Sequence, residues 1–177
     1  MAKLRSGRCY TTLKRPFTRK SRKHELSYVR GVPGSRIAKF EVGATKKKFT
    51  HAVHMISKQN IQLRHNALES ARLAVNRYVS KAVGKENFHL IIRVYPHHVL
   101  RMRKIMSGAG ADRLSSGMAH SYGKPIGTAA QVKEGQEIIT VNLNESGVQK
   151  VKEAFKIAGK KLPCKTSYKI IEKQTKK

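Results

Sequence analysis

Between residues 66 and 83 the apolar side chains return at intervals of three and four: Ala67, Leu68, Ala71, Ala74, Val75, Tyr78, Val79, Ala82 and Val83. This spacing predicts an amphipathic helix with one face to bury, and it puts Glu69, Arg72, Asn76 and Ser80 on the other side. Asn66 is placed to cap its start and Gly84 to end it. A lone amphipathic helix needs a partner surface, and short apolar runs on both sides of it can supply one. Before it, Ile37 to Val42 alternate up to Gly43, and His51-Ala52-Val53-His54-Met55-Ile56 reads as a second strand. After it comes Phe88 to Tyr95, stopped by Pro96. Gly127 to Val132 and Gln136 to Leu143 suggest a strand pair turning at Lys133-Glu134-Gly135. Asn144 is placed to cap a second helix reaching Ala158 and ended by Gly159, and a last strand covers about Thr166 to Ile171. The order is β-β-α-β-loop-β-β-α-β. It predicts an α+β fold, a compact two-layer sandwich with two helices on one face of a mainly antiparallel sheet.

Charge then narrows the function. The chain holds 38 Lys and Arg against 10 Asp and Glu, a net charge of +28. Such self-repulsion calls for a polyanion, either nucleic acid or an anionic membrane. No apolar span of about 18 residues supports a membrane reading, and the basic N-terminus has no apolar stretch behind it to make a signal peptide. Nucleic acid is the favoured partner. An apolar content of 39% allows a modest core, which argues against a wholly disordered basic tail. With no Trp and a total of 11 Phe and Tyr, phosphate contact rather than base stacking is expected to dominate. Cys9 and Cys164 form no CxxC pair, and a reduced chain is the simplest reading.

The cations divide the chain. Residues 1–24 carry Lys3, Arg5, Arg8, Lys14, Arg15, Arg19, Lys20, Arg22 and Lys23 with no acid, and read as an RNA-binding arm. Residues 25–171 form the single α+β domain, and 172–177 a basic tail. Within the domain Arg30 opens the turn Arg30-Gly31-Val32-Pro33-Gly34, Lys46-Lys47-Lys48 is a charged loop, and Lys124 follows Gly123. Residues 101–118 are rich in Gly and Ser and read as a long functional loop, where Arg101, Arg103, Lys104 and Arg113 are candidate phosphate contacts.

Motifs that resemble chemistry fail on geometry. His51 and His54 lie in an expected strand, where residues three apart face opposite sides, and His97 and His98 are adjacent, so neither pair chelates well and no metal is expected. Gly108-Ala109-Gly110-Ala111-Asp112-Arg113 lacks both the GK[ST] ending of a P-loop and the third glycine of a dinucleotide loop, so no cofactor is expected. Asp112 is the sole aspartate and has no second carboxylate or nucleophile–base pair near it in sequence. The alternatives weighed are an RNA-modifying enzyme and a DNA-compacting protein; the absence of any chemistry-capable cluster disfavours the enzyme.

Several stretches are recognisable together: Arg8-Cys9-Tyr10, Arg30-Gly31-Val32-Pro33, Asn87-Phe88-His89, Pro96-His97-His98-Val99-Leu100-Arg101, the run Ser107 to Met118, and Gly123-Lys124-Pro125-Ile126-Gly127-Thr128. They resemble the large-subunit ribosomal protein family L-ten-e, the archaeal and eukaryotic counterpart of bacterial L-sixteen, over about residues 5–160. Residues 133–177 match it only loosely. The N-terminal arm and the absence of a longer C-terminal tail fit an archaeal-like member. The resemblance implies a hammerhead-like α+β sandwich in the cytoplasmic ribosome, bound to large-subunit rRNA near 5S rRNA, beside neighbouring ribosomal proteins and the aminoacyl-tRNA path. It implies no catalytic residues. It also implies that the loop, with Ser107, Gly108, Ala109, Gly110, Ala111, Asp112 and Arg113, points toward the peptidyl-transferase region and supports assembly and tRNA positioning.

Overall fold

A computed structural model describes residues 4–14, 23–26, 29–103, 108, 110 and 123–173. In chain order the described elements are β1 (Glu41–Gly43), β2 (His51–Ser57), β3 (Ile61–Arg64), α1 (His65–Ala82), β4 (Phe88–Ile92), β5 (His98–Met102), β6 (Lys124–Val132), β7 (Glu137–Leu143), α2 (Val148–Gly159) and β8 (Thr166–Glu172). The fold is α+β, with two helices against antiparallel strands. The strands form two sheets rather than one, in the orders β1-β4-β7-β2-β8 and β3-β6-β5.

A sharp bend makes two sheets out of one ribbon. β2 pairs with β7, and their continuations β3 and β6 pair with each other. The two crossovers are stitched where they pass: the Ser57 amide donates to the Gln136 carbonyl at 3.1 Å, and the Gly135 amide to the Ser57 carbonyl at 2.9 Å. The Glu134 amide also reaches Asn60 Oδ1 at 2.8 Å. The turn expected at Lys133-Glu134-Gly135 is present, but the strands it joins do not pair. Each has both edges taken by other strands, so a local turn signal named the wrong partner.

The core follows from alternation. On the large sheet Phe88, Leu90 and Ile92 of β4, Val141 and Leu143 of β7, and Val53 and Met55 of β2 are buried. They meet Leu68, Ala71, Val75 and Val79 from α1 and Val151, Ala154, Phe155 and Ala158 from α2. Helix α1 lies within one residue of its expected bounds at each end, because a long 3.6-residue period is hard to misread. Its cap is different. Arg64 precedes the helix with no capping side chain, and Asn66 sits inside it with Oδ1 unpartnered. Arg72 is not on the solvent side. It is buried, and its Nε and Nη2 grip the Glu69 carboxylate at 2.8 and 2.6 Å. Asn144 does not cap α2 either, since a 3-10 turn at Glu145–Gly147 intervenes. Of the alternating run 37–42, only the end is strand, and β4 ends at Ile92 rather than Tyr95.

Candidate nucleic-acid interface

The small sheet holds the N-terminal segment, and this gathers cations that are distant in sequence. Residues Gly7–Tyr10 form a 3-10 turn that delivers Tyr10 into a pocket with Leu100 and Ala129. The Tyr10 hydroxyl donates to the Arg101 carbonyl at 3.2 Å, and its own carbonyl accepts from Gln62 Nε2 at 2.9 Å. The Gln62 amide donates to the Thr11 carbonyl at 3.0 Å, and Gln131 Nε2 to the Lys14 carbonyl at 2.6 Å. Arg64 Nη1 donates to the Arg5 carbonyl at 3.0 Å, and the Arg5 guanidinium lies 5.7 Å from the Tyr10 ring centre. Residues 5–14 are therefore fastened by backbone groups, which leaves the side chains of Arg5, Arg8 and Lys14 exposed.

The segment passes close to the Arg64 guanidinium. A Cβ on Gly7 would stand 2.9 Å from Arg64 Nη2. Beside that contact is a cavity of about 220 Å³ lined by Gly7, Thr11, Gln62, Arg64, Lys161 and Leu162, among others. Arg64 and Lys161 were not among the sequence candidates. Arg64 lies between the expected strand and helix, and nothing local marks Lys161 as its neighbour.

The remaining candidates spread out. Arg101 and Met102 belong to β5, paired with Pro125 and Lys124 of β6, so the long loop begins after Met102 rather than at residue 101. Arg101 is half-buried, while Arg103 and Lys124 are exposed at the base of the loop. Within the loop Gly108 and Gly110 are described, with φ of +155° and +75°, conformations that favour glycine. Ser107, Ala109, Ala111, Asp112, Arg113 and Lys104 lie outside the described residues, as do Lys3, Arg15, Arg19, Lys20 and Arg22. Lys23 and Arg30 are exposed. Lys46, Lys47 and Lys48 form a separate exposed group near the start of β4, where Lys47 Nζ donates to Asn87 Oδ1 at 3.2 Å. The structure thus brings Arg5 beside Arg64 and over the Tyr10 ring, touches Arg101 only through its backbone carbonyl, and leaves the lysine triplet apart.

One buried histidine ties this region to the helices. His65 Nδ1 faces the Arg36 amide at 3.2 Å and the Thr128 hydroxyl at 3.3 Å. Burial, with Arg36 and Arg64 nearby, holds its pKa below the ordinary value. A neutral ring with Nδ1 free of its proton can accept from both. His98, also buried, is lowered for the same first reason, with His97 and Arg101 adding to it. Among the described residues, no group of His, Cys, Asp or Glu is arranged to hold a metal, and no helix is long and apolar enough to cross a membrane. Both cysteines are free, Cys9 exposed and Cys164 buried.

The family model for ribosomal protein L16p/L10e matches residues 13–169, reaching well into the stretch read as a loose match. The large ribosomal subunit protein uL16 of Methanococcus maripaludis strain C7 is 46% identical over 169 residues, covering 95% of this chain and 93% of that protein. The uL16 of Staphylothermus marinus is 45% identical over 161 residues, 90% of this chain and 89% of its own. That of Methanocella arvoryzae is 43% identical over 166 residues, 93% and 92%. The sequence motifs, the α+β architecture and these likenesses agree, and the chain belongs to the ribosomal protein L16p/L10e family.

Proposed function

We propose that the chain is a structural, non-catalytic constituent of the large ribosomal subunit. It binds large-subunit rRNA near 5S rRNA, lies beside neighbouring ribosomal proteins in the cytoplasmic ribosome, and supports assembly and tRNA positioning. The observation that carries the reading is membership of a ribosomal protein family in a chain of charge +28. The fastened N-terminal segment supports it, since backbone groups do the holding and leave cations for phosphate. We assign residues 1–24 and 172–177 to rRNA contact outside the domain 25–171. The loop from Ser107 to Arg113 is assigned to the aminoacyl-tRNA and peptidyl-transferase region.

Sedimentation tests the main claim. A structural constituent stays with large subunits through a sucrose gradient at moderate salt and in stoichiometric amount. A modifying enzyme is substoichiometric and dissociates, and that result would refute the proposal. Two variants test the division of roles. Replacing Ser107 to Arg113 with a Gly/Ser linker should leave incorporation intact and slow single-turnover peptidyl transfer, because the β5–β6 pairing holds the loop's base. Substituting Arg5, Arg8 and Lys14 with Ala should lower occupancy. Deleting residues 1–24 is a poorer test, since it also removes Tyr10 from its pocket. Full occupancy with unchanged rates in the loop variant would remove its assigned role.

A further inference from the structure

The five residues joining β4 to β5 carry a pattern that the fold does not need. From Arg93 to His98 the side chains alternate strictly: Arg93, Tyr95 and His97 are exposed, while Val94, Pro96 and His98 are buried. This is the period of an extended chain, which places alternate residues on one side about 6.6 Å apart. The outward row is therefore cation, aromatic, imidazole. Tyr95 is 64% exposed, more than any other large apolar residue described. A single exposed ring is common on protein surfaces, so what matters here is how the ring is held and what lies beside it.

Its orientation is fixed all the same. The Tyr95 ring stacks on Phe40 with centroids 5.5 Å apart and an angle of 25° between planes. Phe40 is held in turn, its carbonyl accepting from the Ile92 amide at 2.8 Å. The Tyr95 carbonyl lies 3.1 Å from His97 Nδ1, which can donate to it. One face of the ring is thus spent on Phe40 and the other is offered outward, pre-set before any partner arrives. In the same outward row, before and after it, are Arg93 and His97, both exposed. Arg93 is partly balanced by Glu137 at 3.7 Å, yet 46% of its side chain stays open to solvent.

A fixed aromatic face flanked by an arginine and an imidazole suits an unpaired nucleotide: the base stacks, and the guanidinium and a ring N–H can meet phosphate oxygens. A protein pocket could also take an exposed tyrosine, but it gains nothing from Arg93 unless it is acidic. We propose that Tyr95 is a stacking platform for an unpaired rRNA base, with Arg93 and His97 on the adjoining phosphates. The proposal rests on the rRNA-binding reading above and adds a base contact to a surface otherwise read as phosphate-binding.

The test uses the full chain and protein-free large-subunit rRNA, with excess tRNA to absorb non-specific binding, over a series of salt concentrations. Tyr95→Ala should weaken binding about tenfold at every salt concentration, because stacking releases no counterions and leaves the salt slope unchanged. Tyr95→Phe should bind like the parent. Tyr95→Leu keeps an apolar cover on Phe40 without an aromatic face, so it guards against a mere packing effect and should bind like Tyr95→Ala. Ultraviolet irradiation of assembled large subunits should leave a nucleotide adduct on the peptide holding Tyr95. If the parent binds and all three variants bind equally well, the platform is refuted while the general function stands. A crosslink from Tyr95 to a protein instead of RNA refutes it equally. If the parent itself shows no preference for rRNA over tRNA, both the platform and the reading beneath it fall.

Discussion

A buried histidine and a buried ion pair set the behaviour of single residues here. His65 is neutral in the folded state because burial and two arginines lower its pKa from about 6.5. The unfolded chain takes up that proton first as pH falls below about 6.5, so acid favours unfolding through this group, and its effect vanishes above that pH. His98 acts in the same direction. The urea midpoint should therefore drop between pH 7.5 and 5.5, well above where carboxylates titrate, and His65→Gln should flatten that drop. An equal drop in both proteins would show that His65 is not responsible. The Glu69–Arg72 pair makes a sharper prediction. Arg72 holds the Glu69 carboxyl below its usual range, and the Ala38 amide adds to this. The pair thus pins the segment before β1 to α1. Arg72→Ala strands a mostly buried carboxylate and should cost about 3 kcal/mol, whereas Glu69→Leu with Arg72→Met should cost far less. Urea denaturation of both variants measures the difference.

At the level of elements, the β1–β4 pair depends on a glycine. Gly43 has φ of +100°, and an added Cβ would stand 2.2 Å from the Phe88 carbonyl oxygen. Gly43→Ala should lower stability by about 1–3 kcal/mol, read as a loss in thermal midpoint. What the sequence revealed about elements depended on how local the signal was. Helix α1 was legible because its period runs over five turns. β3 was missed because Ile61 to Arg64 is too short to show alternation, and its partners are residues of β6 far along the chain. β5 was hidden behind Pro96. The cap assignments failed because Asn66 and Asn144 carry the right side chain in the wrong backbone position. The candidate site divided the same way. Exposed cations could be read as charge, but the placing of Arg5 beside Arg64 depends on Tyr10 entering the small sheet, which no local pattern announces.

The whole molecule behaves as a charged body with a sewn-on N-terminus. With a net charge of +28 its affinity for rRNA should fall steeply with salt, by about 0.7 to 0.9 log units per log unit of salt for each phosphate neutralised. Filter binding between 50 and 200 mM salt, concentrations of order those used for such proteins, measures it, and a flat dependence would point away from phosphate contact. The anchoring of Tyr10 also has a consequence in time. Its pocket is built from Leu100 and Ala129, and its hydroxyl bonds at Arg101, 91 positions later. Synthesis at about 5–20 residues per second would leave that ring waiting roughly 6–24 seconds before Ala129 exists. A segment made early thus waits for residues made much later, and the small sheet closes only once β6 exists.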